Sequence, residues 1–315
     1  MKSLLFNLTL GTFLTLSLFC SSICAGESKT VRLLTIGNSF ADNALTYLPA
    51  IIESDGQTLI VSRANLGGCT MERHWKHVAA FKEDPGSKNG SPYQNGKISL
   101  DSLLRKEPWD FITIQQVSTK SHDLATYRPF ADDLHQYIKE RAPDSQIMLH
   151  QIWAYRVDDP RFVAKNEGKL PHTHEIMYQQ VRKAYHTLAE ELNTGIIPSG
   201  DAMYLADIDP KWGYRPDTEY DFANPVFPNL PKQTHSLHTG WHWRKSGEKA
   251  PVLRIDGHHA SNAGKYLLGC LWYEMLFDRD VTAVDYIPEG IDKDYAAHLR
   301  KIAHQAAEPF RKAGE

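Results

Sequence analysis

Two rhythms of apolar and polar positions run along this chain. Short apolar or β-branched runs of strand length occur at Val31 to Ile36, Leu59 to Ser62, Phe111 to Ile114, Gln146 to Leu149 and Gly195 to Pro198. Between them lie amphipathic stretches of helical period. Ala44 to Ser54 is one, and Tyr127 to Arg141 is another, with Phe130, Leu134, Tyr137 and Ile138 on a single stripe. Glu175 to Leu192, the apolar Asn262 to Phe277 and the amphipathic Asp294 to Lys312 complete the set. Glu107-Pro108 ends a helical pattern just ahead of the third run. Strand–helix alternation of this kind predicts an α/β fold, a mainly parallel sheet covered by helices on both faces.

Two stretches break the alternation. Trp153 to Thr173 is polar, with Pro and Gly, and reads as a surface loop. Asp209 to Ala250 carries Trp212, Tyr214, Tyr220, Phe222, Phe227, Trp241 and Trp243 without a regular period. An unstructured stretch of that length is unusual inside a compact domain and is often functional. The expectation is one domain over residues 26–315 with an aromatic-rich insertion at about 209–250, rather than two domains.

Residues 1–25 read as a signal peptide and stand outside the fold. Lys2 supplies the positive start, Leu4 to Phe19 is apolar, and Ser21 to Ala25 offers small residues where cleavage would fall after Ala25 or Gly26. Phe19 and Ile23 stand where a lipoprotein signal needs small residues before Cys20 or Cys24. The chain is therefore expected to be exported, to the periplasm or beyond the cell, with no membrane segment in its mature form. Removing Lys2 from the 35 basic residues leaves 34 against 38 acidic ones. No basic stripe accompanies that balance, so neither nucleic acid nor an anionic membrane is expected as partner. Of the four cysteines only Cys69 and Cys270 remain after cleavage, and geometry decides whether they pair.

Gly37-Asn38-Ser39-Phe40 directly follows the first strand. Ligands of open parallel sheets bind at the carboxyl ends of strands, which places Ser39 where chemistry is usually done. A serine hydroxyl is a weak nucleophile until a neighbouring base takes its proton, and a carboxylate then fixes that base's tautomer. Asp256-Gly257-His258-His259, just before the last major helix, offers such a pair within a single loop turn. The three-residue spacing favours His259 over His258 as the base. Asp132 and His135 repeat the spacing within a helix, far from any strand end, and read as structural.

Together the serine block and the Asp256-x-x-His259 block resemble blocks I and V of the SGNH/GDSL hydrolases, in the order and positions of that superfamily. The resemblance implies a three-layer α/β/α sandwich with a five-stranded parallel sheet, flavodoxin-like in its winding. It also implies a catalytic triad of Ser39, Asp256 and His259 that works without a cofactor. Asn65 to Thr70 is similar to block II, whose glycine donates a backbone N–H to the oxyanion hole; Gly68 fits best and Gly67 is the alternative. Block III of the family normally reads Gly-x-Asn-Asp, and here Gln115-Gln116-Val117-Ser118 stands in its place. This pattern resembles a bacterial branch with a Gly-Asn-Ser-Phe block and a glutamine after the third strand. The oxyanion hole is then expected to comprise the Ser39 and Gly68 N–H groups and the Gln115 amide, with Gln116 as second candidate. Asn38 replaces the Asp of the common Gly-Asp-Ser form, a residue that takes no proton.

The function expected from these features is an exported serine esterase that hydrolyses acyl esters, acetyl above all, on a small molecule or polysaccharide. The alternatives are a lipase or thioesterase with the same triad, or a glycan-binding protein on this scaffold. His235, His238 and His242 lie close together, as do His172 and His174, but neither group sits in the context of a zinc site, and no metal is expected.

Overall fold

The computed structural model describes residues 28–163, 170–245, 247 and 249–311. The expected signal peptide lies outside the described residues. Five strands form one parallel sheet: β1 (Thr30–Gly37), β2 (Thr58–Asn65), β3 (Phe111–Ile114), β4 (Gln146–His150) and β5 (Gly195–Ile197), in the order β2-β1-β3-β4-β5. Central strands of a parallel sheet are covered on both faces, which is why Leu33, Leu34, Ile36, Ile112 and Ile114 are all buried. On one side Met71–Glu83 packs against Leu100–Leu104 and Phe130–Arg141. On the other, Asn262–Phe277 packs against Leu48–Ser54, Ser199–Asp207 and Lys293–Arg311. The result is the expected three-layer α/β/α sandwich. Asn262–Phe277 is apolar nearly all round and is accordingly buried from Tyr266 to Glu274.

Strand register decides where the site lies. Gly37 pairs with Asn65, Ile36 with Ile114, Ile114 with Leu149, and His150 with Ile197. The residues at or just past those ends, namely Asn38, Leu66, Gln115 and Gln151, therefore leave the sheet along one carboxyl edge. No helix among the described residues is long and apolar enough to cross a membrane.

Three local expectations are corrected. Ala44 to Ser54 is not one helix: Ser39–Ala44 and Leu48–Ser54 are separate, the second with Pro49 in its first turn, where the missing N–H costs nothing. Trp153 to Thr173 does not begin as a surface loop. Trp153, Tyr155, Arg156 and Asp159 are buried. Their charges are neutralised locally, since Arg156 pairs with Asp158 and Asp159 with Arg161, so a polar segment can enter the interior. Finally, the stretch Asp209 to Ala250 ends in a strand, β6 (His238–Arg244), antiparallel to β7 (Val252–Ala260). Asp256 to His259 is thus part of a strand, not a loop.

Cys69 and Cys270 are free and buried. Burial pushes the Cys69 thiol up to about 12, and Cys270 is raised by burial too. At pH 8 a thiol of that acidity is thiolate only about once in ten thousand molecules. Ellman's reagent is therefore expected to find no fast-reacting thiol in the native protein lacking residues 1–25, and two after denaturation. One rapid native equivalent would contradict the buried placement.

Candidate active site

Ser39 sits two residues past the end of β1, at the start of the helix Ser39–Ala44. Asn38 caps that helix, its side-chain oxygen accepting from the Phe40 N–H at 3.1 Å. Strand β7 brings Asp256 and His259. The hydroxyl of Ser39 lies 2.8 Å from His259 Nε2, and His259 Nδ1 lies 2.8 Å from Asp256 Oδ2. The carboxylate accepts only, so His259 carries its hydrogen on Nδ1 and leaves Nε2 free to accept from the serine hydroxyl. Ser39, His259 and Asp256 are all partly exposed, the His259 side chain by 31%.

Asp256 is shared. Its other oxygen, Oδ1, accepts from the backbone N–H groups of His258 at 3.3 Å and His259 at 3.0 Å, and His258 Nδ1 stands 2.9 Å from it. Burial opposes ionisation of this carboxyl, but the His258 and His259 side chains and the His259 N–H outweigh it. They hold Asp256 well below the usual carboxylate range. Of the two histidines, His259 is the one that reaches Ser39. His258 turns toward Tyr155, Phe40 and Arg161, the last at 3.3 Å. Phe40 also meets Trp153, whose indole N–H donates to the His258 carbonyl at 2.9 Å, so a buried aromatic floor supports the strand that carries the histidines.

The loop after β2 lies against the residue before the serine, Asn38 Nδ2 donating to the Cys69 carbonyl at 3.0 Å. Cys69 N–H donates to the Leu66 carbonyl at 3.1 Å, closing a turn in which Gly68 has φ +59°, a left-handed conformation suited to glycine. A side chain there would meet nothing within 4 Å, so the space beside Gly68 is open. The Ser39 N–H, in the first turn of its helix, has no intrahelical acceptor. Gln115 is buried, its Nε2 donating to Asn38 Oδ1 at 2.8 Å and its Oε1 receiving from His150 Nδ1 at 2.9 Å. One amide hydrogen of Gln115 remains beyond these bonds. Gln116 has its carboxamide committed elsewhere: the oxygen accepts from Met71 and Val117 N–H groups, and the nitrogen donates to the Thr126 carbonyl.

His150 and a second buried histidine, His74, were not singled out from the sequence. His74 Nε2 donates to the Gly37 carbonyl at 3.0 Å and its Nδ1 accepts from the Tyr93 hydroxyl at 2.8 Å. Burial lowers both histidines to about 3 and keeps them neutral. The one available signal was the position of His150, directly after an apolar run at a strand's carboxyl end.

The remaining histidines and aromatics have other partners. His238 Nε2 bonds the Ala154 carbonyl, His242 Nδ1 bonds the Gly240 carbonyl, His235 packs on Trp212 and Tyr295, and His174 Nδ1 bonds the Tyr155 carbonyl. Within residues 209–250 Phe222 packs on Trp241 and Phe227 on Trp243, with Phe222 and Phe227 still 43% and 58% exposed. The Trp241 indole N–H donates to Asp158 at 3.3 Å, tying β6 to the segment that follows β4.

The family described as "Domain of unknown function (DUF4886)" matches residues 32–211. A crystal structure of a DUF4886 family protein from Bacteroides uniformis is 26% identical, covers 88% of this chain and 94% of its own, and superposes with a TM-score of 0.66. A candidate SGNH hydrolase from Slackia heliotrinireducens is 19% identical over 78% of this chain and 98% of its own, with a TM-score of 0.46. A candidate GDSL-like lipase from Parabacteroides merdae is 14% identical over 80% and 98%, with a TM-score of 0.44. No curated protein matches the chain.

Proposed function

The chain belongs to the DUF4886 family, and for it we propose the activity of an exported SGNH-type serine esterase that cleaves acyl esters, acetyl above all, on carbohydrate. One observation carries this reading: the unbroken series Asp256 Oδ2, His259 Nδ1, His259 Nε2, Ser39 Oγ, with 2.8 Å at each hydrogen bond. Ser39 attacks the ester carbonyl carbon while its proton passes to His259 Nε2. The negative charge gathers on the former carbonyl oxygen. The Ser39 and Gly68 N–H groups and the remaining N–H of Gln115 hold it, each such donor being worth roughly 3–4 kcal/mol of barrier. Collapse expels the alcohol, which takes the proton from His259. Water then repeats the sequence on the acyl-enzyme and releases the carboxylic acid. Asp256 stays ionised throughout and steadies the imidazolium.

The substrate class rests on the openness of the site and on the expected export. His259 is nearly one-third exposed, which suits a small acyl group on a bulky alcohol better than a long chain that needs an enclosed apolar tunnel. Exposed Phe222 and Phe227 in the nearby insertion offer ring faces of the kind that stack on sugars. The test is hydrolysis of 4-nitrophenyl acetate, butyrate and octanoate, beside acetate release from acetylated polysaccharides. A preference for acetate over octanoate of about tenfold or more is expected. Octanoate preference would move the assignment to a lipase or thioesterase. Absence of both turnover and fluorophosphonate labelling of Ser39 would defeat the esterase reading.

A further inference from the structure

We infer that His150 and Asn38 are positioning residues, joined through Gln115 into a buried relay that sets the nucleophile turn against the loop carrying Gly68. The direction of each hydrogen bond follows from the groups present. The relay begins at His150 Nδ1–H, which donates to Gln115 Oε1 at 2.9 Å, an oxygen that can only accept. Gln115 Nε2 donates to Asn38 Oδ1 at 2.8 Å. That oxygen also accepts from the Phe40 N–H at 3.1 Å, and Asn38 Nδ2 donates to the Cys69 carbonyl at 3.0 Å. The three side-chain donors point the same way, from β4 through the residue after β3 to the residue after β1, and on to the loop after β2. The sheet register makes this possible by ending these strands at one level.

The consequence concerns the two backbone donors. Asn38 immediately precedes Ser39, and Cys69 immediately follows Gly68. A single side-chain amide therefore fixes the spacing between the peptide that carries the Ser39 N–H and the turn that carries the Gly68 N–H. Donors must be set in place before charge develops if they are to lower a barrier. Asparagine does here what aspartate could not, because only an amide both accepts from Gln115 and Phe40 and donates to the Cys69 carbonyl. Gly37 is part of the same fit: a Cβ at this position would stand 2.7 Å from Gln115 Oε1. His150 is wholly buried beside Trp153 and Trp272, and its Nε2 has no partner among the described residues. Packing alone would favour an apolar ring there, whereas orienting Gln115 requires the Nδ1–H.

This role rests on the serine esterase mechanism proposed above, and the experiment separates the two. It measures kcat and KM for 4-nitrophenyl acetate, with near-UV circular dichroism as the check on folding. The variants are His150→Phe, His150→Asn, Asn38→Ala, Asn38→Asp and the double variant His150→Phe/Asn38→Ala. Ser39→Ala serves as the blank. His150→Phe and both Asn38 variants are expected to lower kcat about 10- to 100-fold, with KM changed less than about threefold. His150→Asn, whose amide N–H replaces Nδ1–H, is expected to recover to within about threefold of wild type. The double variant is expected to lose little more than the worse single one, because both break one chain. Wild-type kcat in His150→Phe, no recovery in His150→Asn, or losses that multiply in the double variant would each overturn the relay while leaving the triad intact. If His150→Phe does not fold, Asn38→Asp decides: it keeps the acceptor for Phe40 but not the donor to Cys69, and wild-type kcat there would overturn the relay. Undiminished turnover in Ser39→Ala would instead remove the mechanism on which the relay acts.

Discussion

Ser39→Ala is expected to lower kcat/KM for 4-nitrophenyl acetate by at least about 10⁴-fold, with the fold intact. The hydroxyl that forms the acyl-enzyme is lost, and the residual rate is what donors and binding supply to attack by water. Among the described residues the hydrogen bond of this hydroxyl is the one to His259, and the helix that begins at Ser39 is capped by Asn38. Thermal stability should therefore remain within a few degrees of wild type. Fluorophosphonate labelling should vanish with the same substitution. Retention of more than about a tenth of the activity would exclude Ser39 as nucleophile.

The second large effect is expected at Asp256, with a contrast at its neighbour. In Asp256→Asn the backbone N–H groups of His258 and His259 still call for an oxygen at the Oδ1 position. The amide nitrogen must then fall at Oδ2, against His259 Nδ1. Two donors cannot share that contact, so His259 shifts its hydrogen to Nε2, the atom that has to accept from Ser39. Loss of the correct tautomer is worth about 10⁴-fold in kcat in triads of this kind. His258→Asn leaves the His259–Asp256 bond in place and should cost less than about tenfold. The pair of kcat values is the measurement, and equal losses at both positions would overturn the choice of His259 as base. The Asp256 carboxyl also has a sign for stability. Its folded pKa lies below the unfolded value of about 4, so its stabilising contribution is complete above that pH and is lost progressively as the pH falls from there toward and through the folded value. Stability of the wild type should fall on acidification below pH 4 more steeply than that of Asp256→Asn.

Much of the architecture is written in local pattern. The five short runs became the five strands of the sheet, and Phe130, Leu134, Tyr137 and Ile138 line a helix whose Leu134, Tyr137 and Ile138 are buried. Apolar periodicity reports a burial that any fold of this chain must satisfy, so it can be read without the fold. The misreadings have the opposite cause. Trp153 to Thr173 reads as surface from its polar residues, Pro and Gly, whereas the partners that let Arg156 be buried, Asp158, Gln233 and Tyr214, are near only in space or by a turn. Strand β6 was hidden because His238, Thr239, His242 and Arg244 interrupt its aromatic residues, and only its pairing with β7 makes it a strand.

The candidate site divides along the same line. By itself the sequence determined the residue types and their order: a serine just past the first strand, a glycine-bearing loop past the second, a glutamine past the third, and an aspartate with two histidines ahead of the last major helix. Those follow from strand ends, which local pattern marks. The spacing from Asp256 already favours His259 over His258, and the structure shows His259 meeting Ser39. Tertiary structure alone decided that Asp256 divides its oxygens between the two histidines, and that Gln115 is held by His150 and Asn38 while Gln116 is bound to structure. Each of these is a matter of direction at a distance of about 3 Å, and the contacts of Ser39, Gln115 and Gln116 join groups far apart in the chain. Hydrogen bonding at that range is set by the register of four strands and the angle of β7, and no neighbouring residue in the sequence encodes it.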